Sequence, residues 1–542
     1  MSILFANPPW WEGKESRGLF RKKRWRRGVR AGSRWPFTYI GRSSPDKSKT
    51  KDYIPYPYFL GYATTYVANK IGKDKVFFRD SIALSESYKS FYEYVDTIKD
   101  KIEYFLIESA TPSWKHDFEL IKEIKKKYPH FKIIVAGPIS TSDQAWDMDI
   151  IHSILKGEYE KNVMKVLNGQ SGLIEHDLLT LEEMNNAPFP YYDKLIYDKY
   201  YDGNPIPMNQ LTPQAHLLTS RGCPFKCIFC VWPAAMTGND PDGENKRSVR
   251  QYSSEYMDGF IDQLTNEYKF EAIYFDDDTF NIGNKHTQEI SKVAGKYNIP
   301  WFAMCRADTC KKDTWVTMRD NGCKGVKIGI ESGSQYVVDQ IVNKHLDLNY
   351  TAQVVDHLRS LDMSVHGTFT YGLPGETKET FLKGLNNVLN SNSASVTIYT
   401  LMMLNGTEFK NPDYRKKFGY EGKYRIVPLN FGEYDGQRVF DFEEVGIKTK
   451  DMSFEDYLYL RVIALFVESL HNGKPFNEFF LYAKNYNIQP ADFLKILNDN
   501  INQSSNNIRE LIDEFKKDTK DELWDSEEKL IEFYKINENY QK

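Results

Sequence analysis

Hydrophobic positions in the first third of the chain follow two rhythms. Short apolar runs, "ILFANPP" from residue 3, "KVFFRD" (75–80), "YFLIES" (104–109) and "KIIVAGP" (132–138), stop at polar, Gly or Pro residues and predict buried strands. Between them "YFLGYATTYVANKIG" (58–72), "ESYKSFYEYVDTIKD" (86–100) and "KHDFELIKEIKKKYP" (115–129) repeat their apolar residues at helical spacing. "ILKGEYEKNVMKVLNG" (154–169) reads as a last strand and helix. Strand and helix in alternation predict βαβ units and a doubly wound, Rossmann-like parallel sheet over residues 1–185. The crevice of such a sheet lies at the C-terminal strand ends, where the sequence puts Asn7, Asp80, Glu108 to Thr111 and Gly137 to Thr141.

The pattern restarts after a Pro-rich stretch, "NNAPFPYYDK", read as part of a linker over 186–209. "QAHLLTSRGC", "FEAIYFDDDTF", "IPWFAMCRADT", "GCKGVKIGIESGS", "SVHGTFTYGLPGET" and "SASVTIYTLMM" are strand-like and are separated by helical runs such as "SEYMDGFIDQLTNEY". About six βα repeats predict a partial βα barrel of the TIM type over 210–425, again with the site at the strand ends. From 426 to 542 only helical periodicity recurs, as in "SFEDYLYLRVIALFVESLHNG", so the expectation is a small helical domain. The fold class is α/β throughout, with that helical appendage.

Bulk composition narrows the partners. With a net charge of −4 the chain has no overall attraction for nucleic acid or for an anionic membrane. It contains no apolar run of about 18 residues, and "MSILFANPPWW" has no basic and apolar leader pattern. Six cysteines in 542 residues, three of them clustered, do not resemble a disulfide framework. The expectation is a cytoplasmic, reduced protein whose clustered thiols bind something.

Those thiols are Cys223, Cys227 and Cys230 in "RGCPFKCIFCVWP". Tetrahedral structural zinc wants four protein ligands. Iron–sulfur clusters are held by cysteine thiolates, and three thiolates on a four-iron cluster leave one iron open. The alternative is zinc completed by a distant Cys305, Cys310 or Cys323, or by a His. "CPFKCIFC", with Phe229 before the last Cys, resembles the signature of the radical S-adenosylmethionine (SAM) superfamily. The resemblance implies a [4Fe-4S] cluster whose open iron chelates SAM, and a 5′-deoxyadenosyl radical that abstracts hydrogen from substrate. It implies Asp277 of "YFDDDTF" at the SAM amino group, with Asp276 and Asp278 as neighbours that could serve. It also implies Arg306 of "CRAD" at the carboxylate, Glu331 of "GIESGS" at the ribose, and Gly372 and Leu373 of "YGLPGET" at the adenine. Each has a plain alternative: a capped turn, a salt bridge, a paired buried acid, a Pro-Gly turn.

A doubly wound domain ahead of such a barrel resembles the cobalamin-binding radical SAM family. "NPP", "PYPYFLGYATTYV", "IESAT", "VAGP" and "KGEYE" match it in order. The resemblance implies cobalamin at the first domain's strand ends, with Asp80, Thr111, Ser113, Gly137 and Ser140 as candidate contacts or ordinary loop residues. "RDSIALSES" (79–87) departs from the common D-x-H-x-x-G loop by offering Asp80 and no His as lower cobalt ligand.

The family reading is a methyltransferase acting on an unactivated carbon. Cyclisation or rearrangement by the same domains is one alternative, and a metal-stabilised binding or scaffold protein is another. The partners expected are a small-molecule substrate, phosphorylated or nucleotide-linked in one reading, and a reductase or flavodoxin-type electron donor. "GLFRKKRWRRGVRAGSRW" (18–35), densest in cations over 21–34, is read either as an anion clamp or as a solvated loop.

Overall fold

The structure is a computed structural model that describes residues 1–9, 54–84, 86, 88–111, 113–142, 146–201, 213–238, 249–389, 395–434, 437–472 and 475–536. At 12–15, 24–27, 116, 232–234, 428–434 and 437–439 it describes the backbone alone. The basic segment 18–35 therefore lies outside the described residues, apart from a short backbone ribbon pairing Glu12–Glu15 with Arg24–Arg27.

Apolar runs in the first domain become β1 (Ile3–Asn7), β2 (Val76–Asp80), β3 (Tyr104–Glu108), β4 (Lys132–Ala136), β5 (Ile151–Leu155) and β6 (Gly172–Ile174). They form one parallel sheet in the order β2-β1-β3-β4-β5-β6. Strand periodicity sends Ile3 and Phe5 to one face, under helix Tyr58–Ile71, and Leu4 and Ala6 to the other, under Phe91, Val95 and Ile121. Both faces are thereby covered, as a parallel sheet requires. The order reverses at β1, so the crevice of the sheet opens between the C-terminal ends of β1 and β3.

A second parallel sheet holds β7 (Gln214–Leu217), β8 (Ala272–Phe275), β9 (Trp301–Cys305), β10 (Cys323–Glu331), β11 (Ser364–Tyr371) and β12 (Ser395–Thr400) in chain order. Among the described residues β7 and β12 do not pair, so the barrel is open, as the six repeats predict. Ala215, Ile273, Ala303, Val326 and Val365 belong to the core shared with the helices. Tyr274 and Phe302 alternate with them and stack on each other at 4.3 Å in a separate small cluster with Ala272.

Two features depart from the expected organisation. The stretch expected as a linker is a packed aromatic seam up to Tyr201. Tyr192, Ile196 and Tyr200 are buried, the Tyr192 ring stacks on Tyr56 at 4.4 Å, and Tyr201 bridges to Ile54. The C-terminal part is not purely helical. A long antiparallel hairpin, β13 (Glu421–Tyr434) and β14 (Gln437–Lys448), precedes the helices, and the expected boundary at 425/426 falls inside β13. Helices Phe454–Phe466, Asn477–Lys484, Pro490–Asp499, Asn506–Asp521 and Glu527–Lys535 follow. Buried Arg425 pairs with Glu443 across the hairpin (2.7 Å) and ties the hairpin to the helices through Glu522 (3.2 Å). No helix among the described residues is long and apolar enough to cross a membrane.

Candidate active site

The cysteine loop leaves the first barrel strand through Gly222, whose φ of +94° is left-handed backbone that favours glycine. Two backbone bonds shape it: Cys230 N donates to Cys227 O (3.1 Å), and Ile228 N donates to Val342 O (3.0 Å) beyond β10. All three thiols are half-buried. Cys223 Sγ stands 3.7 Å from Thr279 Oγ1, and burial, then the nearby Asp278 carboxylate, pushes its thiol up to about 11. Among the described residues no three His, Cys, Asp or Glu side chains stand grouped as a ligand set, so the protein alone leaves the thiols on one loop without closing them into a cage. Cys305, Cys310 and Cys323 are spent elsewhere. All three are buried in the core, where burial holds each thiol above its ordinary range. Asn281 donates to Cys310, and Cys323 donates to Gly325 O. The donor set the loop offers is three thiols and no fourth, which suits a four-iron cluster with one open iron better than closed tetrahedral zinc.

Around the loop the strand ends supply polar groups. Of the "DDD" run, Asp277 is fully buried and its Oδ1 accepts from Thr219 N (2.9 Å), Thr219 Oγ1 (2.9 Å) and Ser220 Oγ (2.7 Å). It latches the end of β8 to the chain leaving β7. Asp276 accepts from Tyr58 Oη (3.1 Å). Asp278 is half-buried and lies within electrostatic reach of Cys223. Arg306 is buried at the end of β9, its guanidinium 3.8 Å from the Phe225 ring of the cysteine loop. Nε and Nη2 bond Asp308, Nη2 also donates to His345 O, and Nη1 is a buried donor without a partner.

Glu331 sits at a register shift ending β10 with φ +71°, rare for a side-chain-bearing residue and found where surrounding structure enforces it. Its Oε1 accepts from buried Lys344 (2.9 Å) and its Oε2 from Thr370 (3.3 Å). Gly372 ends β11 with φ +93°, and a Cβ there would lie 3.1 Å from Gly446 O of the hairpin. Leu373 is fully buried in an apolar cluster with Ile228 of the cysteine loop, Val337 and Tyr420.

Sequence reasoning did not single out Glu376 or Lys344. Glu376, in the same "GLPGET", is fully buried. It accepts from Ser332 Oγ and Gly333 N, and burial raises its carboxyl to about 8. It ties the turn after β11 to the turn that follows Glu331. An acid in an apolar Pro-Gly turn was the available signal. Lys344 carried none, because its pairing is long-range.

In the first domain the candidate residues divide. Asp80 is fully buried and engaged: Oδ1 accepts from Asn7 Nδ2, Ile82 N and Ala83 N, and Oδ2 from Tyr200 Oη (3.0 Å). Burial raises its carboxyl to about 6 against those bonds. It caps the short helix Ser81–Leu84 and anchors the aromatic seam. Ser113 donates to Asp117 (2.8 Å) at the start of helix Trp114–Lys127. Thr111 is half-buried on the same loop. Gly137, with φ +95°, passes so close to β3 that a Cβ would lie 2.6 Å from Ser109 O. Ser140 is buried and its Oγ has no partner.

These loops face the barrel. Thr141 Oγ1 donates to Asn405 O (3.4 Å) beyond β12, and Gly157 N donates to Ala235 O (3.0 Å) on helix Val231–Met236, which leaves the cysteine loop. The C-terminal edges of the two sheets thus enclose the cysteine loop between them.

Comparison with known proteins agrees with this arrangement. The radical SAM superfamily model matches residues 217–386. An uncharacterized methyltransferase of Pyrococcus horikoshii is 27% identical over 237 residues, 43% of this chain and 48% of that protein. The cytidylyl-2-hydroxyethylphosphonate methyltransferase of Streptomyces wedmorensis is 26% identical over 281 residues, 47% and 50% of the two chains. The chain spans about half the length of these curated relatives. The radical S-adenosylmethionine methyltransferase TsrM of Kitasatospora setae, solved with tryptophan substrate and a SAM analog, shares the fold with a TM-score of 0.52 and 15% identity over 65% of this chain and 72% of that one. Residues 217–386, which carry the three-cysteine loop at the mouth of the open βα barrel, are thus similar to the radical SAM superfamily.

Proposed function

We propose that the protein is a cobalamin-dependent radical SAM methyltransferase that acts on an unactivated carbon of a small molecule. One observation carries the reading: the strand-end edge of a doubly wound domain is docked on the strand-end edge of a radical SAM barrel, with the cysteine loop between them. The fit of each group rests on this chain's own residues. Three thiols without a fourth suit a [4Fe-4S] cluster. The unpartnered Arg306 Nη1 suits a carboxylate, as SAM carries, and the buried, unpartnered Ser140 Oγ at the strand-end edge of the first sheet suits a polar cofactor such as cobalamin. When bound, cluster and SAM together supply a 5′-deoxyadenosyl radical by one-electron cleavage, and cobalamin supplies the methyl group.

The chain's residues position and insulate. Arg306 and Asp277 bracket the SAM amino acid moiety, with Asp276 and Asp278 as neighbours that could serve; Thr219 and Ser220 hold Asp277 through Oδ1. Glu331, held in place by Lys344, receives the ribose hydroxyls, and Leu373 with the Gly372 backbone lines the adenine side. Thr111 and Ser113 after β3 and Gly137 and Ser140 after β4 would face cobalamin, while Asp80 fixes the turn after β2 behind them. The turn Asp80–Leu84 offers Asp80 and no His. Substrate enters the barrel lumen, and a flavodoxin-type reductase supplies the electron. The domain limits proposed are 1–185, 186–209, 210–425 and, with the hairpin counted in part, 426–542.

The test is anaerobic reconstitution followed by dithionite and methyl-labelled SAM. About four iron and four sulfide per chain are expected, with retained corrinoid, 5′-deoxyadenosine, and label in a small-molecule product. A loaded cluster that yields no 5′-deoxyadenosine rejects the reading. 5′-Deoxyadenosine with an unlabelled product points to rearrangement instead.

A further inference from the structure

One turn of the first domain, residues 156–160, grips the cysteine loop on both flanks. Ahead of the loop, Arg221 is buried two residues before Cys223. Its Nη2 lies 2.8 Å from Glu160 Oε1 and its Nη1 3.3 Å from Glu158 Oε2, both carboxylates being buried. Its Nε donates to Tyr252 Oη (3.0 Å), and its guanidinium lies 4.5 Å from the centre of the Tyr62 ring. Arg250 closes the knot from the strand paired with Ser220–Arg221, bonding Glu158 through both terminal nitrogens. Burial opposes ionisation of Glu158, and Arg221 and Arg250 outweigh it, so its carboxyl stays below its ordinary range. Behind the loop, Gly157 N holds Ala235 O, and Gly157 has φ +84°, a conformation that favours glycine.

A buried knot of two acids and two arginines is a costly way to hold two domains, since replacing such a knot by apolar residues is often neutral or stabilising. What charge adds here is direction. A guanidinium fork fixed by two carboxylates and ring faces sets where its own backbone lies, and that backbone leads through Gly222 to the first cluster ligand.

We infer that Arg221 is a positioning residue that couples the first domain to the cluster loop. Through Glu158 and Glu160 it fixes the loop's placement relative to the cofactor of the neighbouring sheet. This rests on the reading above, but its first test does not need the cofactors. In the cofactor-free protein, amide hydrogen exchange of the segment 222–230 is compared in the wild type, R221Q, R221K and E160Q. R425Q, which breaks a buried ion pair within the hairpin and its link to the helices, is the matched control. R221Q is expected to exchange at least tenfold faster in that segment. R221K, with the charge kept and the fork lost, should fall between R221Q and wild type. E160Q, which leaves Glu158 on Arg221, provides a milder reading should R221Q fail to fold. In protein reconstituted with cluster and cobalamin, pulsed EPR should show a broadened cluster–cobalt separation in R221Q with iron content unchanged. Unchanged exchange in R221Q and E160Q, or equal acceleration in R425Q, overturns the coupling. Failure of the wild type to cleave SAM would sink the functional reading and leave the exchange result standing.

Discussion

At the scale of single residues, the strand ends hold buried acids in two ways. Glu331 has the Lys344 ammonium 2.9 Å away, whereas Glu376 sits buried with only Ser332 and Gly333 as partners and one oxygen without any. Glu376 therefore binds its proton in the folded protein up to about pH 8, against an ordinary value of 4.5 when exposed. The raised folded value makes its contribution to stability largest at and below pH 4.5. That contribution is lost progressively as pH rises to about 8, on the order of a few kcal/mol in all. E376Q should flatten this dependence, so that it melts higher than wild type at pH 8.5 and no higher at pH 5, a comparison read from thermal unfolding across pH. Arg306 yields a binding prediction. R306K keeps a cation but removes the partnerless Nη1. Loss of one charge-assisted bond costs about 1.5–3 kcal/mol, so calorimetric titration of cluster-loaded protein should show SAM binding weakened by about tenfold to a hundredfold. Unchanged affinity would remove Arg306 from the carboxylate site.

At the scale of elements, most of the architecture was legible because it is written in local periodicity. The runs at 75–80, 104–109 and 132–138 became β2, β3 and β4 nearly to the residue, and the six barrel strands fell where apolar runs met polar ends. The cysteine spacing was equally local. What stayed hidden is long-range. β6 has three residues and no pattern of its own. Hairpin β13/β14 was masked by Pro428, although Asp435-Gly436 between two β-rich runs was a turn signal. Nothing in "DDD" says that Thr219 and Ser220 would hold the middle carboxylate through its Oδ1. The hairpin bears on the site: Gly446 N donates to Leu401 O (3.0 Å) and Met403 N to Glu444 O (2.8 Å), so β14 extends the barrel edge beside Gly372. G372A would force a side chain into left-handed backbone against Gly446 O, at about 1–3 kcal/mol for the backbone alone. The expected result is a lower melting temperature with faster proteolysis near residue 446. Wild-type protease resistance there would separate Gly372 from hairpin docking.

At the scale of the whole molecule, the two sheets share one hydrophobic core that runs without a break from Ile3 and Phe5 through Tyr56, Tyr192 and Tyr200 to Phe275 and Val365. Tyr192 is the hinge of that continuity. Its ring stacks on Tyr56, its hydroxyl donates to His216 O on β7 (3.1 Å), and its carbonyl accepts from Tyr268 Oη (3.1 Å). Chains with separable domains unfold in steps, whereas a core shared across both sheets favours a single transition. The wild type should therefore give one calorimetric transition with matching calorimetric and van't Hoff enthalpies. Y192A deletes a buried ring from the seam, and its cost by analogy with buried aromatic truncations is about 3–5 kcal/mol. Because the loss falls where the two sheets meet, it should uncouple them, giving a lower first transition for the doubly wound domain and a second nearer the wild-type temperature for the barrel. A Y192A protein that still melts in one step would mean that Arg221, Gly157 and Thr141 suffice to hold the domains together, placing the burden of docking on the polar contacts around the cysteine loop.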